Sequence, residues 1–296
     1  MLAGVVMMSV ICLDAQEVPS RPLSIPVYHP IVLNPAFVGS KDYTNISLTA
    51  RIARTFDYQT LNLHQRITNK DGAYTRLGLG AYAFQEQLDN SWNSGVALSG
   101  AYHFALDHDH LHNLSLGVTA KGIFFAPKHG EEFPYDTLSS KFRPNMDAGI
   151  YYYSPKIFVG LSSTALFESD DSIAYARLNR EYHLYGGYKF VVSKKSGIVI
   201  EPSLLLTVND ETISEPHKHL VPYLKVYLQN YYLGTYLKDL DIIALFFQYQ
   251  FPRFNAGLFI EFPRIGNLND DNIIFELSLG LNLGKEGETF LRYRHW

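Results

Sequence analysis

Apolar and polar residues alternate with period 2 along most of this chain. Phe275, Leu277, Leu279, Leu281 and Leu283 alternate with Glu276, Ser278, Gly280, Asn282 and Gly284. Leu114, Leu116, Val118 and Ala120 alternate with Ser115, Gly117, Thr119 and Lys121, and Ile46, Leu48, Ala50 and Ile52 with Asn45, Ser47, Thr49 and Arg51. Comparable runs cover 74–85, 94–104, 145–153, 197–208 and 254–262. Successive side chains of a strand point to opposite faces, so each run has one apolar face and one polar or glycine-rich face. Beyond the first residues no run of 18 apolar residues exists to form a transmembrane helix. The expected fold class is all-β.

Two architectures use such strands: a soluble sandwich, and a barrel whose apolar face meets lipid. A sandwich covers its outer faces with Lys and Glu. Here the polar faces carry mostly Gly, Ser, Thr, Asn and Tyr, and charged residues make up only 18% of the chain against roughly 25% in an average soluble domain. Strands of about 9–11 residues with polar interiors and aromatic ends are the signature of a transmembrane barrel. The 21 Tyr, 19 Phe and 2 Trp include border clusters such as Tyr151-Tyr152-Tyr153, Tyr231-Tyr232 and Tyr249, which suit an interfacial girdle or simple β-propensity. The pattern predicts an antiparallel transmembrane β-barrel of about 14 strands, which with a short C-terminal tail covers 43–296, preceded by an irregular segment at 16–42. Connectors alternate between a short set (Thr68–Ala73, Ala105–His112, Ser154–Pro155, Ser193–Ser196, Gln229–Asn230 and Pro252) and a longer set (Glu86–Trp92, Ala126–Asn145, Leu166–Arg180, Asn209–His219, Pro263–Asn272), with the tight external connectors Thr55–Asp57 and Lys238–Asp239 as exceptions. Short turns are periplasmic in outer-membrane barrels, which puts both termini on that side.

Residues 1–15 read as a secretory signal with cleavage after Ala15; a lipoprotein box at Cys12 and a buried apolar helix are the alternatives. Cys12 is the single cysteine, so a disulfide framework and a cysteine-based zinc site are excluded. A net charge of −4 leaves no basic surplus for nucleic acid.

Taking the polar face of each strand places Arg51, Arg76, Lys121 and Lys225 inward with Asp147, Glu201, Glu261 and Glu276. Four charges of each sign suit internal ion pairs in a largely closed barrel, a binding platform; a small water-filled channel with scattered charges is the other reading. Asp107-His108-Asp109-His110-Leu111-His112 has metal-binding side chains, but it lies in a short connector and reads as a solvated turn. His217-Lys218-His219, Asp170-Asp171 and Asp270-Asp271 read as loop solvation. No nucleophile elbow, zincin or P-loop motif is present, and no catalysis, cofactor or metal is expected.

Five segments in order carry a family resemblance: Asn34-Pro35-Ala36-Phe37-Val38-Gly39; Asp147-Ala148-Gly149-Ile150-Tyr151 with Gly160-Leu161-Ser162; Gly186-Gly187-Tyr188 with Pro202; Gly234 within Leu233-Gly234-Thr235-Tyr236; and Phe275-Glu276-Leu277. Together they resemble the PorP/SprF family of type IX secretion membrane proteins from about residue 30 to residue 284. The resemblance implies an outer-membrane protein of Bacteroidetes that acts in protein secretion and, in some members, gliding motility. It implies a secreted surface protein recognised through its type IX C-terminal domain as one partner. Periplasmic ring and peptidoglycan-associated components, with outer-membrane lipid around the barrel, would be the others. External loops 126–144, 166–180, 209–219 and 263–272 would face the cargo, and the short turns, the N-terminal segment and the tail Leu291–Trp296 the periplasm. A fatty-acid-transporter-like or porin-like barrel for small molecules is the alternative, and a soluble adhesin a third reading. For the Asn34–Gly39 motif two placements stand: inside the barrel with Phe37 packed in the lumen, or an ordinary turn on the rim.

Overall fold

The computed structural model describes residues 24–41, 43–52, 56–69, 74–88, 91–109, 111–127, 140–168, 178–238, 242–251, 253–262 and 273–284. The expected signal segment, Cys12, His110, Asp170-Asp171, Asp270-Asp271 and the C-terminal tail lie outside them.

Fourteen antiparallel strands close into a barrel. They are β1 (Thr44–Ile52), β2 (Phe56–Thr68), β3 (Tyr74–Leu88), β4 (Ser91–Ala105), β5 (Asn113–Pro127), β6 (Lys141–Tyr153) and β7 (Ile157–Thr164). Strand β8 runs Glu181–Tyr188 and resumes after Lys189 as Phe190–Ser193; β9 (Ile198–Asn209), β10 (Leu220–Leu228), β11 (Tyr231–Lys238), β12 (Ile242–Gln250), β13 (Phe254–Phe262) and β14 (Ile274–Leu283) complete the ring. Each strand pairs with its neighbours in sequence, and β1 pairs with β14 from Thr44↔Leu283 to Ile52↔Phe275, which leaves no open edge. In hydrocarbon that closure is obligatory, because an unpaired edge would expose amides to a medium that cannot hydrogen-bond them.

The alternation decides which side faces lipid. On β1, Asn45, Ser47, Thr49 and Arg51 are buried while Leu48 and Ile52 are exposed. Leu48 stands between Leu279 of β14 and Leu61 of β2, part of an outward belt of Leu, Val and Phe that continues through Leu79, Val96, Leu98, Val118 and Leu277. A soluble protein would hide these side chains; a barrel in a bilayer displays them.

Two expectations need correction. The connector read as Glu86–Trp92 is mostly strand, because β3 reaches Leu88 and β4 starts at Ser91. Its polar residues extend the hairpin beyond the apolar belt, where alternation no longer marks a strand. The tyrosine clusters do not all gird the barrel either. Tyr151 and Tyr232 are buried inside, whereas Tyr152 bonds His112 and Tyr231 is exposed. Neighbouring residues of a strand cannot share a face, so every Tyr-Tyr pair is split between lumen and lipid.

In the connector from β4 to β5, Asp107 caps the turn: its carboxylate accepts from the amides of His112 at 2.8 Å and Leu111 at 3.2 Å. Those bonds, the one from His112 first, hold its pKa below the usual carboxylate range. The capped turn therefore keeps its geometry above the ordinary pKa of about 3.9 and loses it only as pH falls through the depressed value. NMR titration of the Asp107 carboxyl should give a midpoint below that of an unfolded Asp; a midpoint at or above it would show the cap is not made. Among the described residues no group of three or more His, Cys, Asp or Glu converges on a metal position.

Candidate functional site

Residues 24–40 lie inside the barrel. The segment is built from two single-turn helices, α1 (Ile25–Tyr28) and α2 (Pro30–Leu33), followed by a 3-10 turn over Pro35–Phe37. Each of the three pieces has Pro in its first turn, where the missing amide donor costs nothing. Asn34 caps the last piece by accepting from the Ala36 amide at 2.9 Å. Ile25, Ile31, Val32, Leu33, Ala36 and Val38 are buried.

The segment holds opposite walls of the barrel. Tyr28 donates from its hydroxyl to the Leu258 carbonyl of β13 at 3.0 Å. His29 bonds through its ring to Thr49 and Ser47 of β1. Asn34 Nδ2 donates to the Ile150 carbonyl of β6 at 3.0 Å, and Ser162 Oγ of β7 donates to the Leu33 carbonyl at 2.7 Å. His103 of β4 donates from Nε2 to the Val38 carbonyl at 2.8 Å, so its Nδ1 is left to accept from Tyr153, 3.0 Å away. Phe37 is half-buried in the lumen, 5.2 Å from Tyr151 and 6.2 Å from His64 between ring centroids.

Four of the expected motif residues, Asn34, Gly149, Gly160 and Ser162, are thereby brought together. A Cβ on Gly149 would stand 2.1 Å from Asn34 Oδ1, and one on Gly160 would stand 2.8 Å from Asn34 Nδ2. The two glycines and Ser162 form a cradle for the Asn34-Pro35 turn. Gly39 leaves the segment at φ +75, against Gly78 of β3. Gly187 faces Ser203 and the Phe158 ring, and Gly234 lies under the Phe246 ring; both shape the wall rather than the Asn34 cradle. Gly186 and Tyr188 lie on the opposite parity to Gly187, and Pro202 is exposed on the outer face. Sequence reasoning missed Gly78, Gly117, His29 and Lys189. A Cβ on Gly117 would lie 2.3 Å from the Ala36 nitrogen. A glycine at an inward position of an otherwise regular strand was the available signal.

These distances set a prediction. Gly149→Ala forces Asn34 out of its cradle, whereas Gly100→Ala meets nothing within 4 Å. Gly149→Ala should cost about 1–3 kcal/mol, the range of an overpacked core, and Gly100→Ala close to nothing. Urea denaturation followed by heat-modifiable migration on gels would rank them; equal midpoints would sink the cradle.

Seven of the eight expected lumen charges are buried; Arg76 is the exception. It shares the parity of Gly78 and Tyr82 but sits exposed near the start of β3, where the inward face opens to water. The others pair. Lys121 Nζ is 2.6 Å from Asp147 Oδ1, and Asp147 also accepts from the Ala165 amide at 2.8 Å. Lys225 lies 3.0 Å from Glu201, whose other oxygen accepts from Tyr227 at 2.9 Å. Arg51 stands 3.5 Å from Glu276 and 3.9 Å from Glu261, which also accepts from Tyr236. Lys189, 3.9 Å from Glu201, takes the fourth cationic place expected of Arg76.

A family model described as type IX secretion system membrane protein PorP/SprF matches residues 27–281. No curated protein matches the sequence. Among solved structures, a KdgM porin matches at 10% identity and TM-score 0.38, over 82% of this chain and 99% of its own. A mutant of Rh. blastica porin matches at 8% identity and TM-score 0.35, over 81% and 99%. CdiB from Acinetobacter baumannii matches at 9% identity and TM-score 0.45, over 81% and 60%.

Proposed function

The chain belongs to the PorP/SprF family of type IX secretion system membrane proteins, and from that premise we propose that it acts in the outer membrane as a plugged, non-catalytic platform. In this reading the barrel does not pass small molecules; it holds a partner protein at the secretion machine. One observation carries the proposal: the 24–40 segment bonds to β1, β4, β6, β7 and β13 at once, so it braces the lumen rather than hanging from one wall. The balanced internal ion pairs support it, since a selective pore more often carries a one-signed ring.

The cargo is a secreted surface protein bound through its type IX C-terminal domain, on the loops that join β5 to β6, β7 to β8, β9 to β10 and β13 to β14. The short-turn end, with residues 16–42 and the C-terminal tail, faces periplasmic ring and peptidoglycan-associated components. Residues 1–15 are the signal that exports the chain. Affinity purification from native outer membranes, with mass spectrometry of what co-elutes, tests this reading. Expected are a surface protein with a type IX C-terminal domain and at least one secretion component. Recovery of neither, from a folded barrel, would overturn the platform.

A further inference from the structure

A cavity of about 550 Å3 opens between the lumen segment and the short-turn end, within the size range of dedicated ligand sites. Among the described residues its walls hold four cations, Lys41, Arg66, Lys189 and Lys225, against one carboxylate, Glu201. Lys225 and Tyr227 hold the two oxygens of that carboxylate and Lys189 stands 3.9 Å from it, so one negative charge faces two lysines. Lys41 Nζ stands over the rings of Phe37 at 5.9 Å and Tyr43 at 5.5 Å. Arg66 donates to neutral acceptors, the Thr75 carbonyl at 2.8 Å and Tyr153 at 3.1 Å. Those contacts satisfy hydrogen bonds without cancelling charge. The surrounding rim repeats the sign: Arg76, Lys156, Lys194, Lys195 and Arg253 stand against Asp107 and Asp109 among the described residues.

We propose that this vestibule binds an acidic peptide segment presented from the short-turn side. The cations face the lumen and are walled from lipid by the strands, so anionic headgroups do not reach them. Tyr and Phe rings offer apolar surface, and Gln250 and Asn255 offer amides suited to a peptide backbone. The inference rests on the reading that this end meets periplasmic components, and it supplies the chemistry of that contact.

The probe is fluorescein-labelled hexaglutamate, titrated by anisotropy into the full chain in phosphatidylcholine nanodiscs. Saturable binding that weakens with salt is expected, and at least a tenfold loss in Lys41→Glu/Lys189→Glu. Lys194→Glu, on the rim outside the cavity, should lose less than about twofold. Lys41→Gln/Lys189→Gln should fall between the wild type and the double reversal, which keeps the test sound if the reversal does not fold. Absent binding, binding unchanged in both double variants, equal binding of hexalysine, or binding that needs phosphatidylglycerol would each overturn the site. Co-purification of the surface protein reads the platform separately: if it persists when hexaglutamate does not bind, only this site falls.

Discussion

Deletion of residues 24–38 is expected to turn an electrically quiet barrel into an open pore. In planar bilayers the full chain should carry little current, and the deletion variant at least about tenfold more, because a wide barrel without its interior plug holds an aqueous channel. The expectation follows from where the segment touches. Asn34 anchors it on β6, Tyr28 on β13 and His29 on β1, so the segment is strung across the lumen between separate parts of the wall. Its apolar side chains Ile25, Ile31 and Val38 are almost wholly covered, which leaves no hydrated channel around them. Removing the segment also exposes the inward glycines Gly78, Gly117 and Gly149, whose missing side chains currently make its berth. Heat-modifiable migration would confirm that the shortened chain still closes. Gly117→Trp, which intrudes on Ala36 while keeping every residue of the segment, provides a second route to the same opening. Porin-like current through the full chain, or silence of a folded deletion variant, would remove the closed-lumen basis of the platform.

How much of this was legible in the sequence depends on which physical rule governs each residue. Alternation made the strands visible, because a wall with lipid on one side and a polar interior on the other forces period 2 wherever both media are present. It failed where the residue types change: over Gln85, Glu86 and Gln87 of β3 both faces carry polar side chains, and at Arg76 the inward face meets water at the rim. The two four-residue helices left no periodic trace, being too short for one, and only their prolines and Asn34 marked them. The partnership of Asn34 with Gly149 and Gly160 spans more than a hundred residues of sequence and no local pattern encodes it. Lys189 keeps the inward parity of His183, Tyr185 and Gly187, so alternation did mark it; the break in β8 after Tyr188 obscured the run there.

The inward charges give the largest expected effect on stability. Lys121 and Asp147 face each other across β5 and β6 at 2.6 Å, with side chains 2% and 1% exposed. Burial of that depth makes the pair worth less as a source of stability than as a mutual obligation: the desolvation each ion suffers roughly offsets their attraction, but neither tolerates loss of the other. Lys121→Met should therefore cost about 3–5 kcal/mol, since among the described residues it leaves the Asp147 carboxylate with one amide donor, that of Ala165, and no cation. Lys121→Met with Asp147→Asn should recover most of that loss. The asparagine Oδ1 still accepts from Ala165, and no uncompensated charge remains. Reversible urea unfolding in bicelles gives the free energies for the cycle. If Lys121→Met alone costs under about 1 kcal/mol, the pair behaves like an exposed ion pair, water reaches it, and the dry, sealed interior that the platform requires is lost with it.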